Sequence, residues 1–154
     1  GNAADFTWTF TTRGYVLPFR DLPVLDCSGQ TYKYLGADFD TMFFRAEAPG
    51  HYITYGFLAP KTGPYEIRVA HTVSASYGRW QFRLDGQPLG TPVDGYNAAT
   101  LPVGGNPLLG TVALRAGQHR LEVRVVGKHE DSTGYFCGLV SLTLKPVTKA
   151  PRGD

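Results

Sequence analysis

Apolar and polar side chains alternate from His119 to Val125: His119, Leu121, Val123 and Val125 fall on one side, Arg120, Glu122 and Arg124 on the other. A two-residue period marks a strand with one buried and one wet face. The same period runs through Tyr65 to Val73, where Tyr65, Ile67, Val69 and His71 oppose Glu66, Arg68 and Ala70. It recurs at Arg79 to Leu84, where Trp80, Phe82 and Leu84 oppose Arg79, Gln81 and Arg83. Gly110 to Leu114 and Phe136 to Leu144 are apolar runs rich in β-branched residues, so the stretch from Gly105 to Leu144 predicts an antiparallel meander. Thr31 to Leu35, Met42 to Arg45, His51 to Leu58 and a return strand from Gln87 to Gly90 complete the strand set. Ala4 to Leu25 is aromatic, irregular and broken by Pro18 and Pro23, which suits an edge strand and a covering loop. No segment sustains helical apolar spacing, and no internal repeat is visible. The expected class is all-β.

Strand direction then places the loops. If each run reverses the previous one, the turns at Lys61–Gly63, Asp85–Gly86 and Ala116–Gln118 share one end of a β-sandwich. Asp85-Gly86 is a strong hairpin signal. The longer segments Thr72–Gly78, Thr91–Pro107 and Gly127–Tyr135 then meet at the opposite end. Short turns at one pole and long polar-aromatic loops at the other is how a sandwich presents a binding site.

Composition narrows this picture. The 154 residues, 42% hydrophobic and 18% charged, fit one folded globule with a real core. Nineteen Gly and 11 Pro agree with frequent turns. The expected organisation is a single module over residues 1–145 followed by a polar tail over 146–154, whose Arg152-Gly153-Asp154 is read as a chance triplet. The formal charge is +2, and Lys and Arg are scattered among acids, so a nucleic-acid partner is not expected. No apolar run is long enough to span a bilayer, so membrane insertion is not expected either. Cys27 and Cys137 are the only cysteines. They fit a disulfide, which would contribute about 4–5 kcal/mol on the chain-entropy model, or two separately buried thiols.

The order of short motifs carries a resemblance. Gly50-His51-Tyr52-Ile53-Thr54-Tyr55, Gly63-Pro64-Tyr65-Glu66-Ile67, Leu84-Asp85-Gly86 and Leu114-Arg115-Ala116-Gly117-Gln118-His119-Arg120-Leu121 follow one another. So do Tyr77-Gly78, Asp94-Gly95-Tyr96, Val126-Gly127-Lys128 and Ser132-Thr133-Gly134-Tyr135 with Gly138-Leu139. Over His51 to Leu144 this resembles the β-jelly-roll carbohydrate-binding modules of families 6 and 35 and the accessory modules of bacterial glycoside hydrolases. The resemblance implies a two-sheet, mostly antiparallel jelly roll, secreted or on the bacterial surface. It also implies an oligo- or polysaccharide ligand and an attached catalytic domain. Two departures stand out. Gly138-Leu139 is followed by Val140 where such modules often carry an acid. The acidic pair that binds calcium near the start of many of them is also not evident, Glu47 being a lone candidate. A structural Ca²⁺ needs several oxygen ligands and the sequence shows none clustered, so no cofactor is expected, a structural calcium being the alternative.

Sugars are held by stacking their C–H faces on aromatic rings and by hydrogen bonds to hydroxyl pairs. At the long-loop pole the residues of the right type are Tyr77, Asp94, Tyr96, Asn97, Lys128, His129, Asp131 and Tyr135. Each also has a plain structural explanation. Tyr96 and Tyr135 fit loop tyrosines packed on the sandwich end, Tyr77 a turn residue, and Asp94 a turn cap. Lys128, His129 and Asp131 fit a solvated loop. Trp80 alternates with core residues, and His71 and His119 read as core or edge histidines with satisfied nitrogens. A glycosidase requires two carboxylates facing across a cleft. Asp94, Glu130 and Asp131 are candidates, whereas Asp85 is committed to its hairpin. With no nucleophile–base or metal-ligand spacing, a catalytic role is not expected. Two functions remain: a non-catalytic glycan-binding module, or a structural module that packs on a catalytic domain or a neighbouring subunit without binding sugar.

Overall fold

The computed structural model of the protein describes residues 14–147. Expectations for the first part of Ala4–Leu25, for most of the polar tail and for the Arg-Gly-Asp triplet lie outside the described residues. The strands in chain order are β1 (Tyr15–Pro18), β2 (Val24–Cys27), β3 (Tyr32–Leu35), β4 (Thr41–Phe44), β5 (Tyr52–Ala59), β6 (Gly63–Val73), β7 (Arg79–Leu84), β8 (Gln87–Asp94), β9 (Leu101–Gly105), β10 (Leu108–Leu114), β11 (Gly117–Gly127) and β12 (Cys137–Pro146). A short 3₁₀ turn, Phe19–Asp21, is the only helical element among the described residues, and none is long and apolar enough to cross a membrane.

Two sheets form the sandwich. The five-stranded sheet runs β2-β5-β11-β7-β8, and the seven-stranded sheet runs β10-β6-β12-β4-β3, with β1 also on β12 and β9 also on β6. All the strand pairs are antiparallel, as expected for a jelly roll. Alternation predicted the core faces. Tyr65, Ile67, Val69 and His71 of β6, Trp80, Phe82 and Leu84 of β7, and Leu121, Val123 and Val125 of β11 are all buried between the sheets. Strand β12 departs from simple alternation, since both Leu139 and Leu142 face inward. A β-bulge between Leu139 and Ser141 resets the phase. Val140, the residue in place of an expected acid, sits in that bulge.

Strand β9 lies within the Thr91–Pro107 segment expected as a loop, and its Leu-Pro-Val-Gly-Gly sequence is poor in strand formers. It pairs antiparallel with β6, as β10 does, so β9 and β10 run in the same direction along one edge. The added strand therefore extends β10 without reversing the chain, and the expected division into two poles survives. Strand β8 also runs further than expected, to Asp94.

At the short-turn pole, Asp85 and Gly86 have φ of 49° and 88°, the paired left-handed conformation of a tight hairpin. The Asp85 N–H donates to the Arg120 carbonyl, and Asp85 Oδ1 accepts the Arg120 N–H at 2.9 Å. His119 lies 2.6 Å from Asp85 Oδ2 through Nδ1 and 2.7 Å from the Arg115 carbonyl through Nε2. Both ring nitrogens thus face acceptors, which only the imidazolium satisfies in full. Burial opposes the charge, but the Arg115 carbonyl and the Asp85 carboxylate outweigh it and raise the His119 pKa. Cys27 and Cys137 are free thiols on opposite sheets. Cys27 donates to the Gln30 carbonyl, and burial pushes the Cys137 thiol pKa up.

Two outcomes are expected. Trp80 is fully buried, so Trp80→Ala destabilises the fold by about 3–5 kcal/mol in denaturant titrations. Because the folded pKa of His119 lies above its ordinary 6.5, its contribution is complete below pH 6.5 and is lost as pH rises through the folded value. Melting temperature therefore falls with rising pH over that interval, and Asp85→Asn flattens the fall. Equal slopes in the two proteins would contradict the assignment.

Candidate functional site

Three loops meet at the long-loop pole, and backbone hydrogen bonds join them. Ser74 donates its N–H to Gly95 and accepts at its carbonyl from Asn97, while the Gly95 N–H donates to Gly78. On the other side, Thr133 and Phe136 donate to Ala75 and Ser76, and Gly78 donates to Phe136. The loop 74–78 is thus the shared middle member. Gly95 is required where it stands, because a Cβ there would collide with the Trp80 indole. That close approach seats loop 95–100 on the buried ring, whose Nε1–H donates to the Phe136 carbonyl at 3.2 Å.

Ser132 pins the third loop. It is 5% exposed, its hydroxyl lies 2.7 Å from the Tyr77 carbonyl, and the Ala75 and Gly134 carbonyls lie at 3.1 and 3.0 Å. Lys128 Nζ donates to the Ser132 carbonyl at 2.9 Å. These contacts place His129 against Tyr96. The two rings stack with centroids 4.5 Å apart and planes inclined by 10°. Tyr96 is held from behind, its N–H donating to Asp94 Oδ1 at 3.0 Å. His129 Nδ1 accepts the Asp131 N–H at 3.0 Å, which leaves the ring proton on Nε2.

Of the residues singled out from the sequence, Tyr96 and His129 therefore form one half-buried aromatic pair, with Asp131 beside His129 and Asn97 next in sequence to Tyr96. The Asn97 side chain donates to the Ala99 carbonyl at 2.7 Å, and the Asp131 side chain is 70% exposed. Tyr135 is half-buried against the core, with Lys128 6.0 Å from its ring centre. Asp94 is occupied by the Tyr96 N–H and by Arg79, 3.3 Å away. Tyr77 belongs to the core. It is 4% exposed and packs between Phe43 and Trp80, so its ring offers no face to a ligand, and burial raises its pKa. Asp85 lies at the other pole, bound to His119, and cannot pair with Asp94, Glu130 or Asp131 as a glycosidase would require. Among the described residues no group of three or more His, Cys, Asp or Glu could hold a metal ion. Glu47 stands apart from other acids, so these residues do not fit a calcium site.

A feature not expected from the sequence adjoins the pair. Tyr96 and Asn97 also line a cleft of about 820 Å³ between β8 and the β9–β10 edge. Alternation does not reveal it, because the strand that forms one wall has a loop-like sequence; Gly104-Gly105 is the signal the sequence offers.

No known protein-family model matches the sequence, and no curated protein does. Solved structures match its fold. A Paenibacillus xanthan lyase superposes with a TM-score of 0.79 at 18% identity, over 88% of this chain and 13% of the lyase. A family 35 carbohydrate-binding module from Clostridium thermocellum gives 0.59 at 12% identity, over 86% of this chain and 98% of the module. The carbohydrate-binding module CBM36, solved with calcium and xylotriose, gives 0.51 at 15% identity over 84% and 98%. The fold is a carbohydrate-binding-module jelly roll. At these identities the likeness is one of architecture, and the structures matched along nearly their whole length are binding modules. The chain spans only about an eighth of the lyase, so the activity of that larger protein is not transferred to this module.

Ser132→Ala removes the buried hydroxyl that anchors the third loop and costs about 1–2 kcal/mol. Hydrogen exchange at Thr133 and Phe136 speeds up in this variant, while amides of β11 keep their protection.

Proposed function

We propose that this chain is a non-catalytic glycan-binding module of a secreted or surface-attached bacterial carbohydrate-active protein. The observation that carries the reading is the Tyr96–His129 stack, a half-buried aromatic pair at the junction of three loops. Such a surface receives the C–H face of a sugar ring, while the Asp131 carboxylate and the Asn97 amide supply hydroxyl partners at its margin. Lys128 and Tyr135 extend the same surface. The carbohydrate-binding modules that share the fold support the reading. An attached catalytic domain would gain effective concentration at its polymer from even a weak site.

A second reading has its own observation. Val16, Leu22, Leu25 and Leu58 line a groove of about 900 Å³ on the far side of the molecule, and Val16 and Leu58 are 60% and 61% exposed. A module that packs on a neighbouring domain through this groove would need no sugar.

A glycan microarray followed by calorimetry separates the two. The first reading expects a saccharide ligand whose affinity falls about tenfold in Tyr96→Ala. Silence on every glycan, together with self-association in light scattering, replaces it with the second.

A further inference from the structure

Beyond the aromatic pair, the adjoining cleft contains a polar atom with no use in the fold. His71 is 4% exposed and lies at the bottom of the cleft. Its Nδ1 is 2.9 Å from the Thr72 carbonyl. A carbonyl only accepts, so Nδ1 carries the proton and Nε2 of the neutral ring carries a lone pair. Among the described residues Nε2 has no hydrogen-bond partner. The edge of the ring packs on Trp80, with centroids 5.2 Å apart and planes at 89°, which fixes its orientation.

The wall beside Nε2 is bare backbone. His71 pairs across the sheet with Gly105, and a Cβ on Gly105 would come within 2.8 Å of Nε2. A Cβ on Gly104 would strike Val73. Gly104 and Gly105 both line the cleft, so its wall here is backbone and offers no side-chain donor to the lone pair of Nε2 beside it. Its volume lies within the range of small-molecule sites, roughly 300–1,000 Å³.

We infer that this cleft is a second saccharide subsite, in which His71 Nε2 accepts a hydrogen bond from a hydroxyl of a neutral sugar unit. The inference rests on the glycan-binding reading of the loop pole and extends it. Tyr96 and Asn97 line the cleft, so a sugar stacked on the Tyr96–His129 pair has its neighbour in the chain beside His71. Neutrality follows from the lining. Among the described residues its one charged side chain is Asp94, already paired with Arg79, and none of those lining it is a cation that could receive a carboxylate. A uronate would set an acceptor against an acceptor. Protonating His71 to relieve this is opposed by burial, which lowers its pKa against the smaller opposing effect of the Thr72 carbonyl.

The test uses the full chain, labelled with ¹⁵N-histidine. It is titrated with the tightest neutral ligand from an array of gluco-, xylo-, manno- and galacto-oligosaccharides, then with its uronate-terminated counterpart. The Nε2 resonance of His71 is expected to move with the neutral sugar, and the uronate form to bind about tenfold more weakly. His71→Phe keeps a ring against Trp80 but removes the acceptor, and is expected to weaken binding about tenfold. The wild-type titration decides the matter even if that variant fails to fold. If the Tyr96 ring signals shift while His71 Nε2 stays still, the subsite is refuted and the loop-pole reading stands. An equal or stronger uronate also refutes it. If no sugar on the array binds, the loop-pole reading fails and the subsite fails with it.

Discussion

Trp80 has to be buried completely and still find a partner for its indole N–H, and the long-loop pole is organised around both demands. The N–H reaches the Phe136 carbonyl, where the third loop enters β12. The face of the ring admits only glycine at position 95, which draws the second loop onto it. Tyr77 from the first loop packs at 5.9 Å and His71 meets the ring edge-on. One side chain on β7 therefore touches every loop that builds the surface, and also the histidine beneath the cleft. The position of Tyr96 follows directly, being next in sequence to the glycine that Trp80 requires. That of His129 follows through Ser132 and the hydrogen bonds between loops.

The two poles are held by different forces. At the short-turn pole an aspartate and a histidine share charge, so its stability depends on pH. At the long-loop pole the connections are backbone amides and a buried serine hydroxyl, none of which titrates near neutrality. The loops that carry the surface are thus joined to one another without an ion pair of the kind that holds the other pole. Preorganisation of this sort matters for a sugar ligand, whose contacts are individually small and cannot also bear the cost of ordering loops.

Much of the architecture was legible because β6, β7 and β11 each have one buried and one wet face, so side-chain period reports the fold directly. Where a strand is short, glycine-rich or bulged, that link breaks. Leu101 to Gly105 has strand pairing but no strand composition, since its ladder comes from β6 and not from its own side chains. Leu139 and Leu142 share a face only because of a bulge that alternation cannot foresee. The loop pole survived these gaps because β9 continues the direction of β10. Tyr96 and His129 were legible as members of one pole, but their stacking was not, since it depends on contacts between loops distant in sequence. Tyr77 illustrates the converse: its place beside a glycine suggested a loop surface, and the proximity of Trp80 buries it.

The histidine at position 71 links these observations. Its parity with Tyr65, Ile67 and Val69 correctly places it in the interior, where a polar group ordinarily finds a hydrogen-bond partner. Here the partner strand is the glycine-rich β9, which presents no side chain to meet the second nitrogen. The sequence feature that hid β9 is therefore the same one that leaves the acceptor open. A side chain at Gly105 would close the hollow, and an apolar residue at position 71 would remove any need for it. The lone pair is therefore left to whatever enters the cleft, and a hydroxyl is the donor that suits a neutral imidazole acceptor.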